Sequence, residues 1–236
     1  MVYLPEKRIS YCTIPKNMLT AAMAMFCLAF DPEAYIQANS TLESEKWSKR
    51  SCKKKNEKDG YDYRNLGKQN WTNLVIIRDP IDKLISGFLD KCYRYKSKNR
   101  CHGCNATDFP CFVMANYQHM LRGLQKDYKW NFDSEDHFEP QNWFCRLYKT
   151  IGDFKVLKYD RSNEFYSQLV STINPSADIA ALMMDQLRHG KTHHVTTGWN
   201  VKRRLKHMIL ENAELREAIL RTYYWDYRLL KMDVCL

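Results

Sequence analysis

No run of twenty apolar residues occurs in this 236-residue chain, and its longest apolar candidate, Leu19 to Phe30, is too short to cross a bilayer as a helix. The residues after Met1 do not form the basic and apolar pattern of a secretory signal peptide. No internal repeat is present, which removes solenoids and propellers. After "CHGC", Cys101 to Cys104, no second CxxC follows, so a four-cysteine zinc module lacks its second half. Glycine is scarce, eight residues in all, and none lies in "SYCTIPKNMLTAAMAMF", Ser10 to Phe26. That stretch reads as strand, short loop and helix, the geometry that holds phosphates. Without glycine it is not a standard nucleotide loop.

What is present is a chain large enough to bury a core, with 44% apolar residues and fifteen tyrosines. Thirty-seven basic residues against twenty-seven acidic ones leave +10, which favours an anionic partner: nucleic acid, a phosphorylated cofactor, an acidic glycan or a membrane surface. Nine cysteines stand at 12, 27, 52, 92, 101, 104, 111, 145 and 235, five of them between Cys92 and Cys145. Three N-x-S/T sequons, at Asn39, Asn70 and Asn105, accompany them, and the third lies inside the cysteine cluster. Together these favour a disulfide-stapled, lumenal protein over a zinc module. A lumenal protein of this kind would carry its N-terminal anchor outside this chain. The odd cysteine count leaves one thiol over, and Cys27, on an apolar helix, is expected as a buried one.

Along the chain, Ile9–Ile14, Asn73–Arg78 and Phe154–Tyr159 read as strands. Helices are expected over Thr20–Phe30, Ile81–Tyr93, Phe112–Leu124, Asn163–Ile173 and Asp178–Arg188. A last helix is expected over Val201–Leu230, with Val201, Leu205, Met208, Ile209, Leu215, Ile219 and Tyr223 on one stripe. Glu43–Asp59 is polar and basic, a loop or solvated helix. The alternation predicts one α/β domain over residues 1–236, a three-layer parallel sheet with flanking helices and a cysteine-rich insert at about 92–145.

Ligands of such sheets bind at the carboxyl ends of the strands. After the first strand comes Pro15-Lys16-Asn17-Met18-Leu19-Thr20, a lysine and a cap hydroxyl before a helix N-terminus. The plain alternative is a surface lysine in a tight turn with Thr20 as an ordinary cap. After the next strand, "VIIRDPIDKLISGF" puts Arg78 at the strand end and Ser86 two turns into the following helix. An arginine fork and a hydroxyl can close on one phosphate; otherwise Arg78 pairs with Asp79 or Asp82 and Ser86 only packs.

Arg78-Asp79-Pro80-x-x-Lys83-x-x-Ser86 resembles the 3′-phosphate motif of sulfotransferases that use 3′-phosphoadenosine 5′-phosphosulfate (PAPS), and Pro15-Lys16 with Thr20 resembles their 5′-phosphosulfate loop. "DHFEPQNWFC", Asp136 to Cys145, and the C-terminal "THHVTTGWN…YYWDYRLL" are similar to segments of Golgi carbohydrate sulfotransferases, particularly nematode-type members. The resemblance runs from about Ser10 to Leu230. It implies a P-loop-like sulfotransferase fold, PAPS as sulfuryl donor, a glycan or glycosaminoglycan such as chondroitin as acceptor, acidic or neutral, and Golgi residence with type II topology. It assigns the 5′-phosphosulfate to Lys16 and the amides of Asn17, Met18, Leu19 and Thr20, and the 3′-phosphate to Arg78 and Ser86. The scheme requires no metal. His137 is the first choice of general base, His193 and His194 are second, and Glu139 is a further candidate. Met18 and Leu19 replace small or hydroxyl residues of the family loop, which also fits a weakly active or inactive glycan-binding relative. Nucleic-acid binding rests on charge alone and is not expected. The basic runs Lys46–Lys58 and Lys202–Lys206 are solvated faces or a surface for an acidic glycan.

Overall fold

The computed structural model describes residues 1–46, 49–57, 70–96, 98–125, 135–192 and 199–232. In chain order its main elements are β1 (Val2–Leu4), β2 (Ile9–Cys12), α1 (Leu19–Phe30), α2 (Pro32–Gln37), β3 (Thr72–Ile77), α3 (Pro80–Phe88), α4 (Phe109–Gly123), β4 (Phe154–Lys158), α5 (Asn163–Ile173), α6 (Ala177–His189), α7 (Trp199–Glu211) and α8 (Ala213–Leu229). Two compact units form: residues 1–78 with 149–195, and residues 79–148 with 196–236.

The first unit is a mixed sheet flanked by helices, in the order β1-β2-β3-β4. The three predicted strands are there and run parallel. β1, which the sequence reading missed, lies antiparallel on β2, so the sheet is not purely parallel. A polar rung fixes the register where the parallel strands start. The Ser10 hydroxyl donates to Asn73 Oδ1 at 2.7 Å, and the Asn73 amide donates to the Asp153 carbonyl at 3.3 Å. Both side chains are buried, and a one-residue slip would break the rung and leave buried polar groups without partners. α1 is buried from Ala21 to Leu28, and Phe26 stacks on Tyr11 at 5.2 Å. Asp31 then ends α1 and caps α2, accepting from the Ala34 amide, with Pro32 in the first turn, where its missing N–H costs nothing.

Cys27 is not a spare thiol: it is bonded to Cys52, tying α1 to the polar segment that follows α2. A buried helix position says nothing about a partner 25 residues away, which is why burial alone misled. Within that segment Arg50 pairs with Glu57. Buried Glu45 accepts from the Ser51 amide, and the described residues of this stretch form turns rather than a helix.

In the second unit, Cys92 is bonded to Cys101 and Cys104 to Cys111. Both cysteines of the CHGC stretch are thereby used, so the zinc reading falls and the stapled insert stands. Cys12 and Cys145 are disulfide-bonded as well; Cys235 lies outside the described residues. The expected single C-terminal helix is two. Asn212 leaves helical geometry at φ −115° and ψ 109°, and its side chain accepts from the Leu215 amide, capping α8 after α7 ends. The predicted apolar stripe is buried on both helices at Leu205, Ile209, Leu215, Ile219 and Tyr223, because the break keeps the stripe facing the core.

Inside the insert, the His102 ring meets His119 at a tilt, 4.5 Å between centroids, and stacks on Phe112 at 5.7 Å, and its Nε2 lies 3.2 Å from Asn116 Oδ1. Burial, then the neighbouring His119, lowers its pKa to about 4. The folded state therefore binds this proton less readily than the unfolded chain. The associated stability is present above pH 6.5 and is lost as pH falls from 6.5 towards 4; the span is worth at most about 3 kcal/mol. We expect the melting temperature of wild type to fall more steeply than that of His102→Gln across this window. Parallel curves in thermal denaturation would show that the imidazole is not the titrating group.

Candidate active site

The loop after β2 turns without glycine by placing two ordinary residues in the left-handed region, Lys16 at φ 68° and Met18 at φ 61°. Such residues cost about 1–2 kcal/mol each and persist only where surroundings enforce them. The enforcement is visible. The Asn17 amide nitrogen Nδ2 donates to the Ile76 carbonyl of β3 at 2.9 Å, and the Asn17 N–H closes a turn on Ile14 at 3.3 Å. Arg78 Nη1 donates to the Lys16 carbonyl at 2.9 Å. Met18 and Leu19 pack their side chains against the core of the first unit. Asn17, between the two left-handed residues, is not left-handed. Alternation of this kind turns successive N–H groups to one side, a concavity suited to an anion.

Thr20 is not the helix cap. Met18 occupies that position and α1 begins at Leu19, because the left-handed entry starts the helix one residue early. No side chain caps α1, so its N-terminal amides keep the anion-attracting character of an open helix end.

Arg78 follows the last residue of β3. It is 7% exposed, and its guanidinium lies over the Tyr159 ring at 5.5 Å from the centroid. Tyr159 is held beside the strand end by its N–H to the Ile77 carbonyl at 2.8 Å. One edge of the arginine fork thus holds the Lys16 loop while Tyr159 supports the plane, so the loop and the end of β3 are positioned together.

The other predicted residues belong to the second unit. Asp79 caps α3 by accepting from the Asp82 amide at 2.8 Å, as the Asp-Pro pair predicts, and Ser86 sits on α3, buried. The segment around His137 is held by three buried polar groups. Lys83 Nζ donates to the carbonyls of His137 at 3.1 Å and Glu139 at 2.8 Å. The Tyr223 hydroxyl donates to the Phe138 carbonyl at 2.7 Å. Asp226 accepts from the backbone amides of Gln141 and Asn142, both at 2.8 Å, and from both their side-chain amides. Burial pushes the Asp226 carboxyl up, while these amides and the charge of Lys83 pull it back. Gly87 completes the fit, since a Cβ there would meet the Phe138 ring at 2.8 Å and the His137 carbonyl at 3.2 Å. His137 itself bonds through Nδ1 to the Asp136 carboxylate. With Nδ1 protonated and donating, Nε2 carries the basic lone pair.

A family model described as the sulfotransferase family matches residues 1–233. The chain belongs to the sulfotransferase family. It is 27% identical over 251 residues to carbohydrate sulfotransferase chst-1 of Caenorhabditis elegans, covering 97% of this chain and 74% of that one. It is 24% identical over 239 residues to the protein C18B2.2 of the same organism, covering 96% and 67%. To vep-2 of that organism it is 28% identical over 209 residues, covering 82% of this chain and 64%, under two thirds, of that one. No solved structure matches significantly.

In this sulfotransferase, Lys16, Asn17 and Arg78 form one bonded group in the first unit, and His137 with Asp136 forms another in the second. His193 and His194 lie outside the described residues. Among the described residues no group of three or more His, Cys, Asp or Glu side chains has the arrangement of a metal site. The sequence reading missed the parts of Asn17, Lys83, Tyr223 and Asp226 as supports; an aspartate on the buried stripe of α8 is the signal that could have found the last. Of the basic runs, Lys202 and Lys206 both pair with Asp82, at 3.1 and 2.8 Å, so part of that charge is used internally.

Replacing Asp226 by alanine strands four buried donors, and we expect a loss of about 3–5 kcal/mol in chemical denaturation. A loss under about 1 kcal/mol would show that the segment is held in other ways.

Proposed function

We propose that this chain is a carbohydrate sulfotransferase that transfers a sulfuryl group from PAPS to a hydroxyl of a glycan, working in the Golgi lumen as a glycoprotein. The observation that carries the reading is the loop held to the end of β3: Asn17 on the Ile76 carbonyl and Arg78 on the Lys16 carbonyl keep a left-handed turn that nothing in the local sequence favours. Strain kept at a strand end is the mark of a bound anion's cradle more than of an ordinary connection.

PAPS supplies the activated sulfuryl group when bound. Lys16 and the amides of residues 17–20 neutralise charge on the 5′-phosphate side, and Arg78 and Ser86 take the 3′-phosphate. His137 accepts the proton of the acceptor hydroxyl at Nε2, and Asp136 fixes the ring and stabilises the imidazolium that results. Positioning and charge stabilisation do most of the work in such transfers. The packing of Met18 and Leu19 onto the core accounts for bulky residues in a phosphate loop and weighs against an inactive, purely glycan-binding relative. The name of chst-1 and the exposure of all three sequon asparagines support the glycan and lumenal parts of the reading. Among the described residues no helix is long and apolar enough to cross a membrane.

The test is a thermal shift with adenosine 3′,5′-bisphosphate against 5′-AMP. At a hundred times its dissociation constant the bisphosphate should stabilise by about 2.7 kcal/mol, on the order of 5–11 °C for a chain of this size. We expect the shift only with the 3′-phosphate present, and its loss in Arg78→Ala. No shift in folded wild type with either nucleotide would overturn the proposal.

A further inference from the structure

Lined by none of the residues assigned to the cofactor, an open groove of about 560 Å³ is bordered by α4 and α8. Its wall of aromatics is exposed to an unusual degree, with Trp225 at 58% and Tyr224 at 51%, and the two rings meet edge to face at 5.2 Å. Leu121 of α4, also exposed, extends the apolar floor. Two guanidiniums line the same groove, each held by bonds of its own. Arg221 pairs with Glu217 and hydrogen-bonds Tyr117, and Arg216 donates to the Leu210 carbonyl. Each fork has further N–H donors than these bonds use.

We infer that this groove is a second binding site, for an acidic oligosaccharide, that holds a glycan chain by Trp225 and Tyr224 stacking on sugar rings while Arg216 and Arg221 take its carboxylate or sulfate groups. Exposed aromatics set beside fixed arginines match a ligand with apolar ring faces and anionic substituents. Charge selects among the occupants. Two copies of a +10 chain meeting through this arginine-bearing face repel, whereas a polyanion is drawn to it. A single-stranded nucleic acid offers similar chemistry, but the disulfides place the chain in an oxidising compartment. The site rests on the glycan-acceptor reading above, as a place that holds the chain apart from the reacting sugar.

The experiment is calorimetric titration of the whole chain, without nucleotide, using a chondroitin sulfate decasaccharide, a neutral maltodextrin of equal length and a (dT)10 oligonucleotide. The variants are Trp225→Ala and Arg221→Gln, both at exposed positions. A third, with Lys7 and Lys155 both changed to Gln, removes more charge elsewhere, at exposed positions outside the basic runs. We expect the acidic decasaccharide to bind, each groove variant to weaken it about tenfold, and the double-lysine variant to stay within about threefold of wild type. Wild-type affinity in both groove variants overturns the site. So does equal binding of maltodextrin, or (dT)10 binding as tightly with the same losses. A concentration-dependent dimer that Trp225→Ala abolishes would give the groove to a second copy instead. Because no nucleotide is present, failure of the bisphosphate thermal shift leaves this result standing, and failure here leaves the cofactor proposal standing.

Discussion

The first unit depends on one constraint: a turn made without glycine at the carboxyl end of β2. Left to itself, Pro15-Lys16-Asn17-Met18 has no reason to alternate hand. The sheet supplies the reason. The Ile76 carbonyl belongs to a β3 that outruns β2, since Cys12 pairs with Val75 and the strand continues to Ile77. The overhang gives Asn17 its acceptor, and Arg78, one residue beyond, catches the Lys16 carbonyl. The difference in strand length, the buried asparagine and the strained loop are therefore one device. A glycine loop bends because it is permitted to; this one bends because it is held.

The second unit solves a related problem with buried charge. Lys83 and Asp226 are fully buried, and each takes its bonds from backbone groups of the Asp136–Cys145 stretch as much as from side chains. Such groups are costly to bury, and they are justified where a segment with little regular structure must be held in one place. His137 and Asp136 head that segment, so the order of a candidate base is set by residues on α3 and α8 far away in sequence.

Much of this was legible before any coordinates. The continuous apolar run of β3, stopped by Asp79-Pro80, and the shorter apolar stretches of β2 and β4 announce themselves by pattern, and Arg78 at a strand end needs only that pattern to be noticed. β1 was not legible because three residues carry no periodicity. The break at Asn212 was hidden by a stripe that continues across it, and the cap is a single hydrogen bond that periodicity does not register. The Cys27–Cys52 bond and the roles of Lys83 and Asp226 depend on partners brought close only by folding. Charge composition points those residues outward, whereas the structure buries them.

The strand order leaves β4 at the outer margin of the sheet, paired on one side only among the described residues. An edge of this kind is a template on which another chain's strand can add itself. Here the strand is five residues long and carries lysines at 155 and 158, both exposed. A second molecule approaching edge to edge would have to bring its own pair of like charges against them. The sheet that orders the loop after β2 therefore also guards its open side against self-association.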